Sequence, residues 1–149
     1  MPRLHDPRSE RGLTLVEILV ALLILSIGLL GLAGLQTLSL TFNTSAYYRT
    51  QATALAYGLA DRMRANRPAA LAGDYDAALL DPAPDCAAPN LDGSVPQDDI
   101  AIWRMALACR LPLGNGSVTR NGNEFTLSVQ WDDDRDGTDP TPFEFTTSL

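Results

Sequence analysis

The 149 residues contain no lysine, and the one histidine, His5, lies in the first dozen positions. With no histidine in the body of the chain, a Ser-His triad, a Cys-His pair and an imidazole metal site are all excluded. No phosphate-binding loop is present. A hydrolase working through carboxylates alone is the only catalytic class left open, and nothing in the sequence proposes one, so the chain is not expected to be an enzyme. Cysteine is confined to Cys86 and Cys109. In a cytosolic protein these would be free thiols, whereas behind a membrane segment, in an oxidising compartment, they read as one disulfide. Proline is missing between Pro7 and Pro68, and charge is missing from Ile18 to Tyr48.

The charge that is present is unevenly placed. The whole chain carries -7, but from Pro68 to Leu149 there are 14 acidic residues against four arginines, a net of -10. Such a region repels nucleic acid and anionic lipid, so no nucleic-acid partner is expected. Residues 1–12 carry Arg3, Arg8 and Arg11 and are too short and too rich in charge to fold. Ile18–Leu35 is long enough to cross a bilayer, which takes ~20 apolar residues. It is also longer than the apolar core of a secretory signal, and no clean small-residue cleavage site follows it. Beyond Gln36 the pattern turns amphipathic. Ala52, Leu55, Ala56, Leu59, Ala60 and Met63 recur at helical spacing, with Arg49, Asp61, Arg62 and Arg64 on other positions. Asn66 and Pro68 supply the stop. One helix is expected from about Leu13 to Ala65, roughly 80 Å long at ~1.5 Å per residue.

Pro68–Gln97 reads as a loop pinned by Cys86. The stretch DDIAIWRMALACRLP reads as a helix capped at Asp98 or Asp99, with Ile100, Trp103, Leu107 and Leu111 on one face and Pro112 at its end. Strands are expected at Gly116–Arg120, Glu124–Trp131 and Pro142–Thr147. The alternation of Phe125, Leu127, Val129 and Trp131 marks a core-facing side, and the NGN at 121–123 marks a hairpin turn. The fold class is α+β: a long helix whose amphipathic half packs on a small antiparallel sheet beside a short extra helix. Trp103 and Trp131 are expected in the core, and Arg62, Arg64 and Arg67 as a solvated helix end favoured by the dipole.

RGLTLVEILVALLILSIGLLGLAGLQ joins a basic flank, a glycine, an apolar helix and a lone acid, Glu17, five residues after that glycine. An acidic residue at the centre of a membrane helix costs about 2.5–3.5 kcal/mol, so a bland anchor would lack it. This segment resembles the N-terminus of type IV prepilins and pseudopilins. The resemblance implies a type IV pilin-like fold with four parts: a leader at 1–12, a transmembrane and filament-core helix at 13–35, its amphipathic continuation at 36–66, and a periplasmic or extracellular head at 67–149. It implies cleavage by a prepilin peptidase between Gly12 and Leu13, and N-methylation of the new amine at Leu13, where most such proteins have Phe. It also implies that Glu17 meets the amine of a neighbouring subunit's first residue during assembly.

Further along, ADRMRANR, IWRMALACRLPLGNGSV and FTLSVQWDDD resemble the minor pilin family PilV, the pilus modification proteins, in which a Trp helix, an LP-x-G-x-G turn and a strand ending V-x-W follow in that order. This implies a minor pilin that primes pilus assembly within a tip complex. Its partners would be other minor pilins, the major pilin, the inner-membrane assembly platform and a tip adhesin. It would be single-pass in the inner membrane with a periplasmic head, then part of a surface pilus used in twitching motility. The same N-terminus also serves type II secretion pseudopilins, and an adhesin or other binding module displayed at a pilus tip is a third reading. Two features stay open. Gly28, Gly31 and Gly34 fit close helix packing or a hinge. Asp132, Asp134 and Asp136, followed by Gly137, fit the start of a calcium loop, but Phe143 stands where such loops place Glu, so a solvated acidic hairpin loop fits as well. No other cofactor is expected.

Overall fold

The computed structural model describes residues 14–91, 93–134, 137 and 140–149. Its elements, in chain order, are α1 (Leu15–Ala65), α2 (Arg67–Ala72), α3 (Val95–Arg110), β1 (Asn115–Asn121), β2 (Glu124–Trp131) and β3 (Thr141–Ser148). The described residues fall into two compact units, one ending at Phe42 and the other running from Asn43 to Leu149.

α1 is unbroken through Gly28, Gly31 and Gly34, and among the described residues nothing lies within 4 Å of where their side chains would begin. Its start is set by Thr14. The Thr14 hydroxyl oxygen accepts the Glu17 N–H at 3.2 Å and its carbonyl accepts the Ile18 N–H at 3.2 Å, which satisfies two of the first-turn donors. Its end falls at Ala65, as Asn66 and Pro68 predict. Pro68 does more than stop the chain. It occupies the first turn of α2, where its missing N–H costs nothing. The stretch read as loop from Pro68 therefore contains a short helix.

The start of α3 is a second correction. It begins at Val95, with Ser94 as N-cap rather than Asp98 or Asp99. Ser94-Val95-Pro96-Gln97 is the better start signal: Pro96 is pre-set for a first turn, and Gln97 Oε1 accepts the Ser94 N–H at 3.3 Å. Asp98 then sits in the first turn, where the helix dipole favours it. That frees Asp99 for a different task.

The sheet is an antiparallel meander in the order β1-β2-β3, with β1 and β3 each one residue longer at both ends than expected. Asn121 pairs with Glu124 across a two-residue turn. Gly122, at φ +63°, holds the first central position, where a type II′ turn places glycine. On β2 the residues Phe125, Leu127, Val129 and Trp131 are fully buried. The core of the second unit joins them to Tyr48, Ala52, Ala56, Leu59, Ala60 and Met63 of α1, and to Ile100, Trp103 and Leu107 of α3.

Gly116 explains how α3 reaches β1. A methyl group there would run into the Trp103 ring and the Leu107 side chain. The Trp helix and the last glycine of LPLGNG are thus two halves of one contact. Asn115 beside it is buried. Its amide donates to the Leu80 carbonyl at 2.8 Å, and its Oδ1 accepts the Leu80 N–H at 3.3 Å, which ties the 77–80 segment to the sheet. Cys86 and Cys109 form a disulfide across 23 residues and bind the following loop to the end of α3.

Two outcomes follow. Gly116→Ala destabilises the 43–149 unit by about 1–3 kcal/mol through overpacking, read as a fall in the urea midpoint at unchanged slope. Replacing both Cys86 and Cys109 by Ala removes about 3 kcal/mol in the chain-entropy account, read in the same titration against the oxidised protein.

Candidate functional site

From Leu15 to Leu35, fourteen large aliphatic side chains are exposed, among them Leu15 and Leu30 at 74 % each. The chain itself buries none of this stretch. α1 is the one helix among the described residues long and apolar enough to cross a membrane. Its hydroxyls do not spoil it for that purpose, because Ser26 donates to the Leu22 carbonyl at 2.6 Å and Thr37 to the Ala33 carbonyl at 3.1 Å. An N-terminal apolar helix of this kind fits membrane anchoring.

Glu17 is the exception in this surface. It lies in the first turn of α1, three residues after the capping Thr14. Thr-x-x-Glu is the pattern of a capping box. The position changes the energetics. A carboxylate at a helix N-terminus gains about 0.3–1 kcal/mol from the dipole, and the midplane insertion cost of about 2.5–3.5 kcal/mol is an upper bound for a residue this near a helix end. Glu17 has a local reason to sit where it does, besides any partner. The expected cleavage and methylation positions, Gly12 and Leu13, lie outside the described residues.

The expected disulfide, Cys86 with Cys109, is the pair the structure brings together. The acidic segment after β2 is only partly described, since Asp136 lies outside the described residues. Asp132 is buried and its Oδ2 accepts the Gly137 N–H at 2.9 Å. Asp133, which the loop pattern skipped, accepts from the Ser45 hydroxyl at 2.6 Å and from the Trp131 indole N–H at 3.2 Å. It links the start of the second unit's helix to the end of β2. Among the described residues no group of three acidic, thiol or imidazole side chains could hold a metal.

The arginines at the end of α1 are exposed, as a solvated helix end requires, and each also reaches a partner. Arg62 pairs with Asp99 at 3.1 Å. Arg64 pairs with Asp61 at 2.7 Å and donates to the Thr147 hydroxyl at 2.7 Å. Arg67 donates to the Leu149 carbonyl at 3.0 Å. Apart from the Arg64–Asp61 pair, which is three residues apart on the helix, these contacts span 37 to 83 residues of sequence, so no local pattern could signal them. Asp99 is the centre of the set, because its second oxygen accepts the hydroxyl of Tyr75 at 2.8 Å. One carboxylate thereby joins α1, the segment after α2, and α3. Arg104 donates to the Ala78 carbonyl, and desolvation lowers its proton affinity from the ordinary arginine value without discharging it.

Burial, reinforced by the bond to Asp99, pushes the Tyr75 phenol up from 10.0 to about 12. The fold favours the neutral phenol. Its contribution is complete below pH 10 and is lost as pH rises from 10 to 12. Across that window the wild type should lose about 2–3 kcal/mol more than Tyr75→Phe, which itself starts about 1–2 kcal/mol less stable at neutral pH. Urea titrations at stepped pH read both numbers.

No curated protein and no solved structure matches the chain. Residues 7–33 match the prokaryotic N-terminal methylation motif. The matched stretch takes in the expected scissile bond, the capping Thr14, Glu17 and most of the bare apolar surface. It supports reading the chain as a prepilin-type pilin, a substrate of prepilin peptidase of the type IV pilin and pseudopilin kind.

Proposed function

We propose that the protein is a minor pilin of a type IV pilus, a structural subunit that primes assembly as part of a tip complex. Prepilin peptidase cuts it between Gly12 and Leu13 and methylates the Leu13 amine. The first half of α1 anchors it in the inner membrane with the head in the periplasm, and then enters the filament among other helices. The platform that extracts it, the major pilin and other minor pilins are its partners, with a tip adhesin beside them. The observation that carries this reading is a bare, uncharged helix surface broken by one carboxylate in its first turn, inside a methylation motif.

Lipid can cover the aliphatic side chains, but it offers Glu17 no counter-charge. A filament built from copies of such helices does, because each processed subunit brings a cationic amine a few residues before its own carboxylate. A fixed cation offsets the desolvation of Glu17 and sets the register between neighbours. A type II secretion pseudopilin would have the same N-terminus. What favours the pilus is the resemblance of the Trp103 helix and the LPLGNG turn to the PilV minor pilins.

Glu17 now has two candidate roles, and one substitution separates them. Gln at a capping-box position keeps the polar cap but cannot pair with a cation. A deletion strain should lose most of its pili, and the wild-type gene should restore them. Glu17→Ala and Glu17→Gln should both fail to restore them, as counted by electron microscopy. Normal pilus numbers in the deletion strain and with Glu17→Ala would remove the assembly role. Full rescue by Glu17→Gln would reduce Glu17 to a helix cap.

A further inference from the structure

The two edges of the sheet are treated differently. On the β1 side, Ala77 and Val118 exchange backbone hydrogen bonds of 3.0 and 2.8 Å, and Asn115 fastens Leu80 in the same segment. That edge is covered at its centre by the 77–80 segment. β3 is the last strand on the other side, and among the described residues no backbone pairs with its outer edge.

Strand parity says which groups point outward. Leu149 N–H donates to the Asn123 carbonyl at 3.2 Å, so the odd-numbered residues of β3 direct their backbone groups at β2. Pro142, Glu144, Thr146 and Ser148 direct theirs away from it. Proline has no N–H to give, and its place in this set agrees with the parity. The free edge therefore presents the N–H groups of Glu144, Thr146 and Ser148 together with four carbonyls.

The core face is unfinished at the same edge. On β2, Leu127 and Val129 are fully buried, while their partners Phe145 and Phe143 on β3 are only half-buried. The Phe145 ring meets Tyr57 with centroids 4.4 Å apart, and Tyr57 is 48 % exposed. A row of open hydrogen-bonding groups lies beside a row of half-covered aromatics. Glu144 stands in the middle of the opposite, outer face of the strand.

We propose that the β3 edge is a docking surface for an extended segment of another protein, which joins the sheet as a fourth strand. Its backbone takes up the open groups, its apolar side chains cover Phe143, Phe145 and Tyr57, and its alternate residues are basic and meet Glu144. Charge selects this occupant over a second copy. A copy would bring another 43–149 unit of net charge -7 against this one, and like surfaces repel. The surface stands on the geometry of the 43–149 unit and does not depend on the filament role.

The test uses the full chain in neutral detergent and a ten-residue peptide alternating valine and arginine, with a valine–glutamate peptide as comparison. Binding is read by anisotropy, and hydrogen exchange locates it. The valine–arginine peptide should bind and slow exchange at Glu144, Thr146 and Ser148. Thr146→Pro removes an outward donor without touching the bonds to β2, and should weaken binding at least tenfold. Glu144→Lys, an exposed change that leaves the core intact, should transfer the preference to the valine–glutamate peptide. Absence of binding, equal binding to Thr146→Pro, an unchanged peptide preference in Glu144→Lys, or protection of those three amides by self-association without peptide would each overturn the proposal.

Discussion

An apolar helix surface that its own chain leaves bare must be covered by something else, and the other features of α1 are arranged around that need. Fourteen exposed aliphatic side chains between Leu15 and Leu35, at about 1.5–3 kcal/mol each when fully buried, represent on the order of 20–40 kcal/mol of unrealised burial. Against that, a single carboxylate costing at most about 3.5 kcal/mol does not prevent insertion. The magnitudes explain how Glu17 is tolerated but not why it is there. On the proposed function the reason lies in a second environment, where charge matters more than area; the first helical turn, where the backbone itself favours an acid, adds to it.

The second half of α1 meets the same need within the chain. Its buried stripe is half alanine, with Tyr48, Leu59 and Met63 as the larger members, and the bulk of the core comes from Phe125, Trp131 and Trp103 opposite. The polar fastenings gather at the helix end. Asp99 holds Arg62 and Tyr75 at once, while Arg64 and Arg67 reach the last residues of the chain. Exposed ion pairs of this kind contribute little singly. Their value here is positional, because they connect parts of the chain far apart in sequence, and the disulfide does the same for the long loop.

What could be read from the sequence was whatever depends on period and punctuation. The stripe from Ala52 to Met63, the alternation from Phe125 to Trp131, the NG turn and the stop at Ala65 all obey local rules and all stand in the structure. Misreadings arose where two local signals competed. Pro68 signals an end but also begins a helix, and the acidic pair Asp98–Asp99 competes with the stronger start at Ser94–Gln97. The clamps made by Asn115, Asp99 and Asp133 were out of reach, since each joins groups that only the folded chain brings together. At the N-terminus, Glu17 was legible as an anomaly, whereas its capping Thr14 passed unnoticed.

The central claim is that the bare helix belongs to a processed subunit, with its amine created next to Glu17. Intact mass of the protein extracted from membranes tests this most directly. The account predicts a chain that has lost residues 1–12 and gained one methyl group on Leu13. An unprocessed mass in cells with active prepilin peptidase, or a cut at any other bond, would contradict it.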